Sequence, residues 1–135
     1  KIAIVESMKG FKSGERPSTV MGRLAKGYSD ADFEAMGDFF SKQKPVANIQ
    51  ALDTAKIAMG QALHEKNCAR CHVEDGKEIK DNSPVVAGQW LKYLQIQMDD
   101  YSSDKRKMFD RKAEKMKPLT KDELDAIAYF YASVK

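Results

Sequence analysis

The sequence has little of what marks several common classes of protein. Its 135 residues include only two cysteines, four prolines and one tryptophan. Apolar runs are a few residues long, as at Pro84-Val85-Val86-Ala87, so no segment is expected to span a bilayer. An excess of one charge is also missing, because 23 Lys and Arg stand against 20 Asp and Glu. We therefore expect no membrane span and no role in wrapping nucleic acid.

The residues that are common favour helix. Ala, Lys, Met, Asp and Glu recur along the chain, whereas runs of β-branched residues are scarce. These features predict an all-α fold, with a length that suffices for one ordinary core or two very small ones. The chain begins at Lys1 without an initiator methionine or a leader, so we expect a processed mature form or a fragment that starts late.

Both cysteines lie in one short string, Asn67-Cys68-Ala69-Arg70-Cys71-His72. A redox dithiol would lie between a strand and a helix, and a zinc site would need two further ligands, where only His64 is available. Covalent haem uses every unusual residue of the string. Cys68 and Cys71 can reach the two vinyl groups on one edge of the porphyrin, and His72 can bind the iron as proximal ligand. Two reduced core cysteines beside a surface histidine are the alternative.

The elements around this string can be predicted in outline. A helix from Ala51 to Lys66 should run into the string, with Gly60 and His64 on one face that suits a close helix crossing. His64 is therefore interpreted as a packing residue. We expect the following loop to wrap the haem, with the backbone near Pro84 accepting a hydrogen bond from His72. The loop carries three pairs of turn-forming residues, Asp75-Gly76, Asp81-Asn82 and Ser83-Pro84.

Two further helices are predicted after the loop. The first should open at Gly88 and place Trp90 and Tyr93 near its apolar edge, where we expect them in the core. The apolar face itself is formed by Leu91, Leu94, Met98 and Tyr101. The second should begin at a capping box, Thr120 to Glu123, and carry aromatic residues to its end. It has the length to cross the face that carries Gly60.

The segment 105–117 is strongly basic and contains two methionines. Its default interpretation is a solvated helix ended by Pro118. However, a haem iron held by one histidine needs a second ligand if it is to transfer electrons, and a Met thioether raises the reduction potential. We favour Met108 as this distal ligand, because Met116 lies only four residues before the Thr120 cap and has little slack. Met116 stays open as the alternative.

The beginning of the chain repeats the pattern of its end. Near the beginning, a helix is followed by Met21 and then by a capped aromatic helix from Ser29. Near the end, a helix is followed by Met108 and then by the aromatic helix that Thr120 caps, so the two series match element by element. We therefore predict a partial cytochrome-like domain over 1–47, without a haem attachment site, and a complete haem domain over 48–135. Met21 is then either a distal ligand without a haem or, if the chain starts late, the distal ligand of a haem whose attachment site is missing.

Several blocks outside the haem string resemble the cytochrome subunit of flavocytochrome c sulfide dehydrogenase, a class I c-type cytochrome of the tandem-domain kind. They are Gly10-Phe11-Lys12-Ser13-Gly14, residues 21–29, Ala87-Gly88-Gln89-Trp90, Arg106-Lys107-Met108 and Phe130-Tyr131-Ala132-Ser133. The resemblance implies a class I cytochrome c fold and a periplasmic location. It also implies a flavoprotein partner whose FAD takes electrons from sulfide, and a soluble electron acceptor such as another cytochrome c.

The sequence departs from this family in two places. Two-haem members carry two C-x-x-C-H strings and this chain carries one, so we predict one covalent haem c. Members often carry a second methionine four residues after the one that matches Met108, where this chain has Lys112. The resemblance therefore leaves the distal role to Met108.

These expectations describe an electron-transfer subunit of an oxidoreductase that is not catalytic by itself. Two alternatives stay open. One is a free-standing diffusible periplasmic electron carrier, which the basic segment would steer toward acidic partners. The other is a haem sensor with an open distal site.

Overall fold

A computed structural model describes residues 1–80 and 83–135; the predicted turn pair Asp81-Asn82 lies outside this part of the chain. The described residues form helices joined by loops, with two 3-10 turns and no strand beyond an isolated bridge between Lys80 and Ser83. None of the described helices has the length and apolarity to cross a bilayer. The α-helices are α1 (Ile2–Ser13), α2 (Met21–Leu24), α3 (Asp30–Ser41), α4 (Thr54–Asn67), α5 (Leu91–Ser102), α6 (Asp110–Met116) and α7 (Lys121–Ser133).

The described chain divides into two compact units. The first unit comprises Lys1–Lys44 and Asp104–Lys107, and the second comprises Pro45–Ser103 and Met108–Lys135. The first unit therefore holds α1 to α3, and the second holds α4 to α7.

The core of the first unit forms between α1 and α3. The buried residues are Val5, Met8, Ala25 and Phe33, and Phe11, Met21 and Met36 pack against them. Helix α1 ends at Gly14, whose φ of +85° is a left-handed conformation that favours glycine. Helix α3 begins at a capping box in which the Ser29 side chain accepts from the Asp32 amide at 3.2 Å. The predicted helix start at Ser29 is confirmed.

The second unit is organised by the crossing of α4 and α7. A Cβ built on Gly60 would lie 2.0 Å from the carbonyl oxygen of Ala126, so only glycine allows the two backbones to approach this closely. Helix α7 begins at the predicted capping box, where the Glu123 carboxylate accepts from the Thr120 amide at 2.7 Å. Most of α7 is buried, and the core consists of Leu94, Ile127, Ala128, Phe130, Tyr131 and Ala132. The predicted crossing at Gly60 is confirmed.

One polar cluster ties three helices of the second unit together. The Asp125 carboxylate of α7 accepts hydrogen bonds from Lys56 of α4 and, at 2.6 Å, from Gln95 of α5. Burial alone would raise the pKa of Asp125, but these two donors outweigh it and hold the pKa below its usual value. The cluster therefore favours a charged carboxylate at neutral pH.

Three of the predicted helices differ from the observed ones. Helix α4 begins at Thr54 rather than Ala51, because the Asp53 side chain caps it by accepting from the amides of Ala55 and Lys56. Helix α5 begins at Leu91 rather than Gly88, because Gly88 adopts a left-handed φ of +70° in the preceding turn. The basic segment 105–117 is helical only in α6, because Asp104 also has a positive φ and Phe109 is extended.

The expected burial of two aromatic side chains is wrong. Trp90 and Tyr93 are both exposed, although we expected them in the core. The predicted apolar face of α5 is confirmed, because Leu94 is buried and Leu91 and Met98 pack against the same core. Trp90 and Tyr93 lie at the edge of that face, and the core does not extend far enough to cover them.

Candidate haem site

The two cysteines lie in a tight turn that continues from the end of α4. The Cys68 amide donates to the His64 carbonyl at 2.7 Å, and the amides of Cys71 and His72 both donate to the Cys68 carbonyl, at 3.1 and 2.9 Å. Both thiols are free, with Cys68 half-buried and Cys71 exposed. The turn Cys68–His72, called the attachment turn below, thus presents two thiols and one imidazole within five residues.

His72 is the half-buried imidazole of the attachment turn. Burial lowers its pKa to about 4, with the charge of Lys112 and the ring of His64 adding to the shift, while the Pro84 carbonyl opposes it. The ring is therefore neutral at pH 7, which is the state that binds a metal ion. Its Nδ1 atom is buried and meets no partner at hydrogen-bond geometry among the described residues. The Pro84 carbonyl, which the sequence predicts as acceptor, thus raises the pKa of His72 without forming a hydrogen bond of ordinary geometry.

A hydrogen-bonded pair of buried side chains, His64 of α4 and Tyr131 of α7, lies next to the attachment turn. His64 is 2% exposed, and its Nδ1 lies 2.9 Å from the Tyr131 hydroxyl. The Tyr131 hydroxyl also interacts with the Cys68 thiol, and the Tyr131 ring meets the His72 ring edge-on, with centroids 5.9 Å apart. Burial raises the pKa of both Cys68 and Tyr131. The four side chains therefore form one cluster across the α4–α7 crossing.

This cluster was only partly predictable. The sequence indicates that His64 packs, and the structure confirms a buried ring, but it adds a polar partner on α7. The sequence did contain an indication of this partner. The predicted crossing at Gly60 places the aromatic end of α7 opposite His64, which lies on the same face of α4 as Gly60. Nothing in the spacing indicated that the same Tyr131 hydroxyl would reach Cys68.

Helix α6 supplies the positive charge near the attachment turn. The charge of Lys112 acts on both His72 and Cys68, and that of Lys115 acts on Cys68. The Lys112 ammonium lies 3.3 Å from the centroid of the Tyr101 ring, so an aromatic face of α5 holds it. Both candidate distal methionines belong to this region and are half-buried, Met108 just before α6 and Met116 as its last residue.

The residues present fit a covalently attached haem. Two free thiols and a neutral imidazole occur together on one turn, and one buried ring nitrogen of that imidazole lacks a described partner. The described residues contain no cluster of three or more His, Cys, Asp or Glu side chains that could hold a metal ion.

Beside the start of α5 lies a pocket of about 280 Å³ lined by Asn48, Gln89, Trp90 and Tyr93.

Comparison with known protein families decides the class of the chain. The family model described as cytochrome c matches residues 57–135, which include the attachment turn and all of α5 to α7. The chain belongs to the cytochrome c family. Membership implies covalently bound haem c and a role in electron transfer.

Two curated relatives carry the same name, thiosulfate dehydrogenase electron acceptor. The protein of Thiomonas intermedia strain K12 is 29% identical over 112 residues, which is 76% of this chain and 52% of the relative. That of Stutzerimonas stutzeri strain A1501 is 25% identical over 141 residues, 96% of this chain and 65% of the relative. This cytochrome c chain thus spans between half and two thirds of the length of these relatives.

Solved structures confirm the predicted class I cytochrome c fold. Cytochromes c4 from Acidithiobacillus ferrooxidans and Pseudomonas stutzeri match 98% of this chain with TM-scores of 0.83 and 0.84, at 22% and 19% identity, over 83% and 80% of their own lengths. The thiosulfate dehydrogenase TsdBA of Marichromatium purpuratum matches with a TM-score of 0.86 at 25% identity, over 98% of this chain and 31% of that protein.

Proposed function

We propose that this cytochrome c accepts electrons, in the periplasm, from an enzyme that oxidises an inorganic sulfur compound. The observation that carries the proposal is the attachment turn itself, two free thiols followed by a neutral imidazole in the region that the family model matches. The names of the two curated relatives support the role of electron acceptor.

In this proposal one haem c is held by four residues. Cys68 and Cys71 form the thioether bonds, His72 binds the iron, and Met108 completes the coordination. When bound, haem c supplies one-electron oxidation and reduction at its iron. The chain contributes rigidity, because the attachment turn is hydrogen-bonded to α4 and α4 is pressed against α7 at Gly60. A rigid set of ligands keeps the structural cost of gaining or losing an electron low.

The local backbone supports Met108 over Met116. Met116 ends α6, and its carbonyl accepts from the Leu119 amide at 3.0 Å, directly before the Thr120 cap of α7. Met108 lies in the non-helical segment before α6, where the chain has more freedom to present a side chain. Lys112, whose ammonium lies over the Tyr101 ring, places a positive charge near the proposed iron ligand His72.

For the electron donor, our first candidate is a flavoprotein that oxidises sulfide through FAD. It rests on the sequence blocks that resemble flavocytochrome c sulfide dehydrogenase. A thiosulfate dehydrogenase is the second candidate, and the names of the two curated relatives favour it. In both cases the electrons pass on to a soluble acceptor such as another cytochrome c.

Residues 1–47 are proposed to be a partial cytochrome-like domain without haem. Its α3 corresponds to α7 through their capping boxes, so that Phe39 and Phe40 occupy the places of Phe130 and Tyr131. Phe39 and Phe40 are 60% and 55% exposed, whereas Phe130 and Tyr131 are 4% and 3% exposed. In the second unit, α4 packs against Phe130 at Gly60 and against Tyr131 at His64.

The test begins with protein purified from its native source without denaturant. We expect one covalent haem per chain, and none in a variant that carries both Cys68→Ser and Cys71→Ser. A chain without covalent haem would contradict the proposal, and two haems per chain would contradict the assignment of one. Stoichiometric flavin and reduction by sulfide would support the first candidate donor. Reduction by thiosulfate through a copurifying enzyme without flavin would replace it with the second.

A further inference from the structure

The buried imidazole of His64 is not among the four residues proposed to hold haem, and its surroundings give it another role. It lies inside the α4–α7 crossing at 2% exposure, between Tyr131 on α7 and Asp75 in the 3-10 turn Glu74–Gly76. Nδ1 is 2.9 Å from the Tyr131 hydroxyl, and Nε2 is 3.7 Å from the Asp75 carboxylate. The two ring nitrogens therefore face two different groups.

The surroundings assign the proton on this ring. Burial lowers the pKa of His64 and keeps the imidazole neutral, so only one nitrogen carries a proton. A carboxylate is an acceptor only, and it favours the proton on Nε2, the nitrogen that faces Asp75. Nδ1 is then an acceptor, and the Tyr131 hydroxyl donates to it.

Covalent attachment of haem leaves His64 as the strong acceptor of this hydroxyl. The other partner of the Tyr131 hydroxyl is the Cys68 sulfur. A thioether sulfur has no proton to donate and accepts only weakly, whereas an imidazole nitrogen accepts well. A buried hydroxyl needs an acceptor, so the hydrogen bond to His64 fixes where the Tyr131 side chain lies. The ring of that side chain meets His72 edge-on.

We propose that His64 is a positioning residue, whose Nδ1 holds the Tyr131 ring against the iron-binding His72. This inference rests on the proposed function, because it requires haem iron at His72. It predicts that the orientation of the His72 imidazole depends on an acceptor at the position of Nδ1, and not on the bulk of the residue at 64.

The test compares four single variants of the haem-loaded protein and then adds two variants that contain Tyr131→Phe. His64→Asn can place an amide oxygen near the position of Nδ1, His64→Gln extends its amide toward the position of Nε2, and His64→Phe fills the space without an acceptor. Gln61→Ala, an exposed change on the same helix, is the control. The measurements are the haem-methyl resonances of the oxidised protein, which report the orientation of the axial imidazole, and the midpoint potential.

We expect the Phe and Gln variants to redistribute the haem-methyl resonances and shift the midpoint potential, while the Asn variant and the control keep the wild-type pattern. Tyr131→Phe should reproduce the shift, and adding it to His64→Phe should change nothing further. If His64→Phe does not fold, His64→Gln makes the same comparison. A wild-type pattern in His64→Phe or His64→Gln would overturn the inference, while a wild-type protein without covalent haem would contradict the proposed function instead.

Discussion

Gly60→Ala tests whether the close crossing of α4 and α7 holds the second unit together. The added Cβ would lie 2.0 Å from the Ala126 carbonyl oxygen, 2.6 Å from its carbonyl carbon and 2.8 Å from the Cβ of Phe130, where ordinary contact begins at 3.4 Å. Because two of these atoms are backbone, α7 must retreat by more than an ångström. Overpacking of this kind costs about 3 kcal/mol, and the better helix propensity of alanine returns about 1 kcal/mol.

The expected net loss is therefore about 2 kcal/mol, which lowers the melting temperature by about 10 °C for a unit of this size. Thermal unfolding followed by far-ultraviolet circular dichroism measures it. The matched control is Gly27→Ala, because a Cβ built there meets nothing within 4 Å. That variant should melt within a few degrees of the wild type. A Gly60→Ala protein that melts at or above the wild-type temperature would refute the reasoning.

Three further predictions concern the site and its supports. Met108→Ala should abolish the near-infrared sulfur-to-iron band of the oxidised protein and Met116→Ala should keep it; the reverse result would reassign the ligand. Asp125→Asn should cost about 1 kcal/mol of unfolding free energy at pH 7. Since the folded pKa of Asp125 is lowered, that difference should persist above about pH 4 and disappear as the pH falls through the folded pKa, whereas a pH-independent difference would contradict the ionic contribution. Thr120→Ala should lower the unfolding free energy by about 1 kcal/mol in urea titrations, and Thr19→Ala, at an exposed position outside the helices, should change it little.

The helices and the attachment turn could be predicted because each depends on residues close together in the sequence. Capping boxes at Ser29 and Thr120 fix two helix starts by local hydrogen bonds, and the glycine at 60 indicates a close crossing. The spacing of Cys68, Cys71 and His72 likewise depends on one turn of backbone.

What could not be predicted depends on how far a buried face extends and on how two helices meet. The apolar face of α5 is buried at Leu94, as its spacing predicts, but Trp90 and Tyr93 at the edge of that face are exposed. Similarly, the hydrogen bond between His64 and Tyr131 joins residues on either side of a helix crossing. An amphipathic pattern defines the buried face of a helix to within about one residue on either side. A hydrogen bond forms or breaks over displacements of a few tenths of an ångström, about an order of magnitude smaller.

Helix α7 couples the stability of the second unit to the chemistry of its site. The same helix carries Ala126, which meets Gly60, and Tyr131, which meets His64, Cys68 and His72. A change that pushes α7 away from α4 must also move Tyr131 relative to the attachment turn, because the two residues are little more than one helical turn apart. Gly60→Ala should therefore disturb the haem-methyl resonances as well as the melting temperature. By contrast, Thr120→Ala loosens only the start of α7 and should leave those resonances in place.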